Sequence, residues 1–473
     1  MINSRLLAVA AVPALAALLL GATQEGGAAV PGVAAPGAPA PGAPTAGDPY
    51  LRGAGDGGYH VQHYGLTLRY QPDSGRIDGR TEITARATQE LSAFDLDLSG
   101  LTVSSVLVDG RPAAFRRNGT KLRIAPPAPI HRNRVFRAVI GYSGVPKQLT
   151  DADNSADGWI EEDDGSVFVA GEPQGAMTWF PCNNHPTDKS TYDFTLTVPD
   201  GWTAVANGRL RSQQSSGGQT VFRWHESRPM AAYLATASIG EFQVSQYRAA
   251  DGLPVYNAVD PDQAADAAPV LARLPEVIDW ESRLFGPYPF DAAGAIVTST
   301  PDVDYALETQ SRPVYQEAPD MDTLVHETAH QWFGDSVSLT RWKDIWLNEG
   351  FATYTEWLWD AAHGGPSTAQ RFAQLYALPP GDKLWAYPPA DPGDMSRIFG
   401  TPSYQRGAMV LEKLHQAVGD PVFSTILHSW TAEHAYGHGT TAEFTALAAN
   451  LSGQNLDGLF ATWLYGHGKP ARP

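Results

Sequence analysis

Two histidines and a glutamate stand within five residues of one another in the stretch TLVHETAHQWFGD, residues 323–335. His326 and His330 are four apart, so on a helix they share one face. Glu327 lies beside them. The pattern His-Glu-x-x-His sets two imidazoles to bind one Zn²⁺, with a carboxylate next to the open coordination position. The competing reading is a pair of hydrogen-bonded core histidines. It is costly, because two imidazoles and a carboxylate on a half-buried face need partners for their polar atoms. Zinc in a catalytic site takes a third protein ligand and keeps a position for water. The stretch DIWLNEGFATYTEW supplies Glu349, 19 positions after His330 and at the start of a helix. That spacing permits a short loop and a return helix alongside the first. The plainer reading of Glu349 is a solvated acid favoured by the helix dipole.

The elements that must position these groups fall into two halves. From His60 to about Phe242 the text is strand-like. Leu66, Leu68 and Tyr70 alternate, as do Phe94, Leu96 and Leu98, and again Tyr192, Phe194, Leu196 and Val198. Turn dipeptides at Asp109-Gly110, Asp200-Gly201 and Asn207-Gly208 separate such runs. Many short antiparallel strands predict a β-sandwich or an open β-saddle. After about Gly252 the period becomes helical. Residues 264–284, 322–333, 349–362, 407–418 and 441–451 read as helices, with a small β portion around GAIVTST. The fold class is therefore multidomain, β then mainly α, with a boundary near residue 245.

The chain has 473 residues, which predicts two or three domains. An apolar content of 43% and a charged content of 18% suit a globular core. The net charge of −18 argues against nucleic acid or an anionic membrane as partner. Residues 1–29 read as a secretion signal: Arg5, an apolar run from Leu6 to Leu20, then small residues at 21–22 and 27–29. No stable membrane insertion is expected after its cleavage, and the run is short for a bilayer span. No cysteine follows that run directly, which excludes a lipoprotein anchor. Residues 30–48, almost all Ala, Pro, Gly and Val, read as a flexible linker. Cys182 is the single cysteine, so no internal disulfide exists and a buried, apolar role is expected. Export without disulfides suits a bacterial-type secreted protein, placed outside the cell.

HETAHQWFGD followed by WKDIWLNEGFATY resembles the zinc aminopeptidase family that includes aminopeptidase N and the leukotriene hydrolase, of the gluzincin class. GEPQGAMTWFPCNNHPTDKSTYDFTLTVP is similar to the family's N-terminal-domain signature, and RPMAAYLATASIGEF to the end of that domain. LFGPYPF, YQRGAMVLEKL and FATWLYGHGKP resemble its approach to the site, its tyrosine motif and the close of its catalytic domain.

The resemblance implies a β-saddle domain over 49–245 and a thermolysin-like catalytic domain over 246–473. It also implies a short form without the C-terminal helical domain of larger members, and hence a more open site. One Zn²⁺ per chain is expected on His326, His330 and Glu349. Glu327 would act as general base, taking a proton from water and delivering it to the leaving amine. The resemblance assigns Tyr404 as the hydroxyl donor to the oxyanion. It assigns Glu308 and Glu172 to the free N-terminal amine of peptide substrates. From the residues alone, Tyr404 reads as packing and Glu308 as a partner for Arg312.

The chain also departs from the family pattern. Tyr305, Leu307 and Thr309 replace the Gly, Met and Asn of Gly-x-Met-Glu-Asn. Val169-Ala170 replaces Thr-Gln, and Asn184-His185-Pro186 replaces Asp-Glu-Pro. The alternatives are a thermolysin-like endopeptidase, an epoxide hydrolase, and a zinc-bearing peptide-binding domain without turnover. Co²⁺ or Mn²⁺ could occupy the same ligands.

Overall fold

The computed structural model describes residues 37–471. The expected signal segment, and residues 30–36 of the expected linker, lie outside the described residues. The end of the linker segment differs from the expectation of free chain. Ala40–Pro41 pairs in parallel with the strand Leu91–Asp97. Asp48, 3% exposed, accepts the backbone N–H groups of Tyr50, Leu51 and Trp342. Those bonds tie the segment to both halves of the molecule. An Ala/Pro/Gly composition says nothing of such docking, because backbone groups and one carboxylate make it.

The first half is built of sheets. Its eight-stranded sheet runs in the order Arg209–Ser216, Gln219–Met230, Ser190–Pro199, Tyr59–Gln71, Arg76–Ala87, Val135–Gly144, Thr102–Val108, Arg111–Pro112. The register pairs Phe194 with Leu66 and Leu196 with Leu68. The alternating apolar residues therefore share one face, and all are buried. Asp109 and Gly110 both have positive φ, 49° and 75°, as a tight hairpin with right-handed strand twist requires. A five-stranded sheet contains Ala156–Glu161, Val167–Ala170 and Ala237–Gly240. Glu172 stands two residues after its strand Val167–Ala170. Phe94 and Leu96 are buried in a separate four-stranded sheet. Cys182 is fully buried.

The second half opens at Gln243, three residues after the last strand of the first. Its sheet orders Gln243–Arg248, Pro254–Val259, Ala293–Val297 and Val314–Tyr315. The described residues hold the helices α1 (Ala264–Leu271), α2 (Leu274–Phe285), α3 (Met321–Ala329), α4 (Trp346–Ala362), α5 (Thr368–Tyr376), α6 (Gly407–Val418), α7 (Asp420–Glu433), α8 (Thr441–Ser452) and α9 (Asp457–Trp463).

The structure divides the helix expected over 264–284 into α1 and α2. Pro275 has no N–H to continue a helix and stands in the first turn of α2. The helix expected over 322–333 ends at Ala329. A tight turn follows, in which the N–H groups of Asp335, Ser336 and Val337 donate to the carbonyls of His330, Gln331 and Trp332. α4 starts one turn earlier than expected, which places Glu349 within its first turn. No described helix is long and apolar enough to cross a membrane.

Buried polar groups join the halves. The Lys189 ammonium donates to the carbonyls of Asp335 (2.6 Å), Ser336 (2.9 Å) and Gly437 (3.1 Å). The Arg312 guanidinium donates to the carbonyls of Ala206, Gly208 and Tyr256. It therefore does not pair with Glu308, the partner its proximity in sequence offered.

Candidate active site

α3 begins where Asp320 caps it, accepting from the Thr323 N–H and hydroxyl, each at 2.8 Å. The helical period then brings the His326 and His330 rings to 4.8 Å between centroids. α4 returns alongside. Glu349 Oε2 lies 3.3 Å from His326 Nε2 and 3.4 Å from His330 Nε2. Atoms about 2.0–2.2 Å from one zinc at tetrahedral angles are roughly 3.3–3.6 Å apart. The three donors are thus spaced to hold one ion. Their tautomers also fit. His326 Nδ1 is 2.6 Å from Glu356 Oε1, and His330 Nδ1 is 2.9 Å from the Phe333 carbonyl. Each Nδ1–H is used, which leaves each Nε2 lone pair for a metal.

The electrostatics ask for positive charge. Burial opposes the charged forms. Even so, the two imidazoles hold the Glu349 carboxyl down at about 2, and Glu308 and Glu349 hold His330 up at about 9. A divalent cation satisfies the carboxylate and lets the histidines stay neutral. Glu327 is 6% exposed and its Oε2 has no partner. Burial pushes its carboxyl up to about 7, against the pull of both imidazoles. That value suits a group that both accepts and returns a proton near neutral pH.

Glu172 and Glu308 arrive from different halves. Their carboxylates and that of Glu349 place one oxygen each within 4.8 Å of one another. Oε1 of Glu172 and Oε1 of Glu308 are buried without a hydrogen-bond partner. Burial raises both pKa values; at Glu172 the neighbouring carboxylates add to it, and at Glu308 the His330 ring, 3.9 Å away, pulls against it without reversing it. Such groups call for a cationic donor.

Tyr404 stands in a π-turn, Pro402–Arg406, that leads into α6. Its ring lies nearly parallel to that of His326, at 6.0 Å. Burial and the nearby carboxylates push its phenol well up, so it stays a donor. All seven residues singled out in the sequence line one cavity of about 640 Å³.

Other contributors went unnoticed in the sequence. Glu356 sits seven residues after Glu349, two turns along the same face of α4; that period was the available signal. Gln331 accepts from the Ser311 N–H at 2.7 Å and donates to the Glu308 carbonyl at 3.2 Å, so it fixes the segment that carries Glu308. Gly334 has a φ of 133°, and a Cβ there would lie 3.3–3.4 Å from Asn348 Nδ2, Glu308 Oε1 and His330 Nδ1. Only glycine fits without disturbing the site.

Four of the residues that depart from the family pattern have local accounts. The Tyr305 hydroxyl donates to the Ala156 carbonyl at 2.6 Å. Thr309 donates to the Arg312 carbonyl at 2.6 Å. Asn184 and His185 are buried, where the Asn184 N–H donates to Asp97 and His185 packs near Asp48.

A β-rich half followed by a helical half, with one metal-ligand set shared between two adjacent helices, is the gluzincin arrangement. The Peptidase M1 N-terminal domain matches residues 60–234 and the Peptidase family M1 domain matches residues 296–463. The chain belongs to the peptidase M1 family, as its motifs led us to expect. It is similar to an aminopeptidase N of Streptomyces lividans, 25% identical over 409 residues, 78% of this chain and 46% of that protein. It is also similar to aminopeptidase M1 of Arabidopsis thaliana, 27% identical over 327 residues, 63% of this chain and 36% of that one. The chain thus spans about half the length, or less, of these curated relatives. Among solved structures it is similar to an M1 zinc metallopeptidase from Deinococcus radiodurans, 28% identical with a TM-score of 0.83, covering 91% of this chain and 98% of that one. A mutant of that metallopeptidase was solved with a Tyr-Ser-Ala substrate bound.

Proposed function

We propose that this protein is a secreted zinc metallo-aminopeptidase that removes the N-terminal residue of peptides, with one zinc per chain on His326, His330 and Glu349. The observation that carries the reading is the pair of unpartnered carboxylate oxygens on Glu172 and Glu308 beside the metal triad. An endopeptidase has no use for them. A free α-ammonium group supplies the N–H donors and the charge they lack.

The residues divide the work as follows. Glu172 and Glu308 bind the amine and so fix the first peptide bond over the triad. Zinc, when bound, supplies the Lewis acidity that activates water and polarises the scissile carbonyl. Glu327 takes the proton of the attacking water and passes it to the leaving amine. Tyr404 donates its phenolic hydrogen toward the oxygen that gains charge. Glu356 and the Phe333 carbonyl hold the two imidazoles in the ligating tautomer. Export is supported by the charged, apolar and small-residue order of residues 1–29.

The test is a panel of aminoacyl p-nitroanilides beside their N-acetylated copies, with and without a chelator. Turnover confined to free-amine substrates and abolished by the chelator is the expected result. Equal cleavage of blocked substrates would overturn the amine assignment and indicate an endopeptidase.

A further inference from the structure

The cavity walls carry more negative charge than the chemistry above employs. Besides Glu172, Glu308, Glu327, Glu349 and Glu356, the carboxylates of Asp153, Asp304, Asp320 and Asp322 line it, and no lysine or arginine is among its described lining residues. None of these four aspartates forms an ion pair among the described residues. Asp320 is occupied as the cap of α3. Asp304 is exposed and accepts no hydrogen bond, and Asp153 accepts only from Ser155, two residues away.

Asp304 and Asp153 line the same cavity as Glu308, and two features relate them to it. Residues 304–307 run directly into Glu308, which is 3% exposed and has an unpartnered Oε1. With a substrate amine held at Glu308, this stretch is the part of the cavity wall adjoining it in the chain. The second feature is Tyr305. Its hydroxyl donates to the Ala156 carbonyl at 2.6 Å, and its ring meets Phe168 edge-on at 6.2 Å. The ring is therefore fixed, and it brings the turn 153–155 against the same wall. Asp322 belongs to α3, and Glu356, on α4, is engaged with His326 Nδ1 at 2.6 Å.

We propose, resting on the aminopeptidase reading, that the first side chain is selected by Tyr305, Asp304 and Asp153, and that its class is a long cation, arginine or lysine. The aliphatic stem packs on the Tyr305 ring, and the cationic end reaches the two exposed aspartates. A glutamate or aspartate at that position meets only like charge.

The test uses the full-length zinc-loaded enzyme with arginyl, lysyl, leucyl and glutamyl p-nitroanilides. The expected result is a kcat/KM for the arginyl substrate at least ten-fold above the leucyl one, and the lowest value for the glutamyl one. Asp304→Asn and Asp153→Asn, combined, should lower the arginyl-to-leucyl ratio at least five-fold. Raising salt from about 0.05 M to about 0.5 M should lower it as well. Both substitutions keep the shape and an acceptor oxygen, and circular dichroism checks the fold. Equal turnover of arginyl and leucyl substrates, or a ratio unmoved by the double substitution, overturns this proposal while leaving the aminopeptidase reading intact. Calorimetry with L-argininamide and L-leucinamide separates the two without turnover. Tighter binding of argininamide by an enzyme that cuts nothing supports the pocket and overturns the catalytic reading. Equal binding overturns the pocket.

Discussion

Glu356 offers the sharpest test of how the metal site is built. Its Oε1 is 2.6 Å from His326 Nδ1, and the two side chains are 21% and 13% exposed. A charge-assisted hydrogen bond of this length contributes about 1.5–3 kcal/mol when well shielded. Partial exposure argues for the lower part of that range. Glu356→Gln keeps an acceptor for the Nδ1–H but removes the charge, so zinc affinity should fall about three- to ten-fold. Glu356→Ala leaves Nδ1–H to water and frees the ring to turn. Removal of such a partner typically costs about 10–100-fold in metal affinity. Competition with a chelator of known zinc affinity reads the dissociation constant directly, and circular dichroism confirms that both variants fold. The order wild type, Gln, Ala is the prediction. An Ala variant that binds zinc as tightly as the wild type would refute the reasoning, because His326 would then be oriented by packing alone.

Three further outcomes follow from the same geometry. Glu327→Gln should bind zinc normally yet lose about 10²–10⁴ in kcat; near-normal turnover would remove Glu327 as the base. Glu308→Ala should raise KM for free-amine substrates by about 10–100-fold and erase most of the preference over blocked ones, as compared in steady-state kinetics. The third concerns pH. In the metal-free protein His330 is raised to about 9, so its stabilising contribution is complete below about 6.5 and is lost as pH rises through 9. Zinc needs the neutral imidazole. The rise in Tm produced by zinc should therefore grow between about pH 6.5 and pH 9, and a constant rise across that window would contradict the coupling.

The two histidine ligands were legible because they rest on local periodicity, needing only one helical turn. Glu349, on the adjacent helix, was legible from the Asn-Glu-Gly motif at its spacing. The buried strand faces were legible for the same reason as the histidines, since Leu66 and Leu68 alternate whatever they pair with. Other contacts have no local signature. Lys189 meets Asp335 across 146 positions, and Tyr305 meets Ala156 across 149. Asp48 sits at the end of a stretch whose composition reads as linker, yet it caps a loop 294 positions away. Glu356 lay between these cases. Its seven-residue spacing from Glu349 was visible, but its partner was not. Tyr404 carried no signal beyond the resemblance, because a tyrosine before a helix is usually packing.

The central claim is a single zinc that serves free-amine peptides. Metal-stripped protein titrated with Zn²⁺ while a free-amine p-nitroanilide and its N-acetylated copy are followed together tests it most directly. The account predicts that cleavage of the free-amine substrate rises linearly and breaks at one equivalent per chain, with the acetylated copy untouched throughout. Cleavage without zinc, a break at two equivalents, or parallel cleavage of both substrates would contradict it.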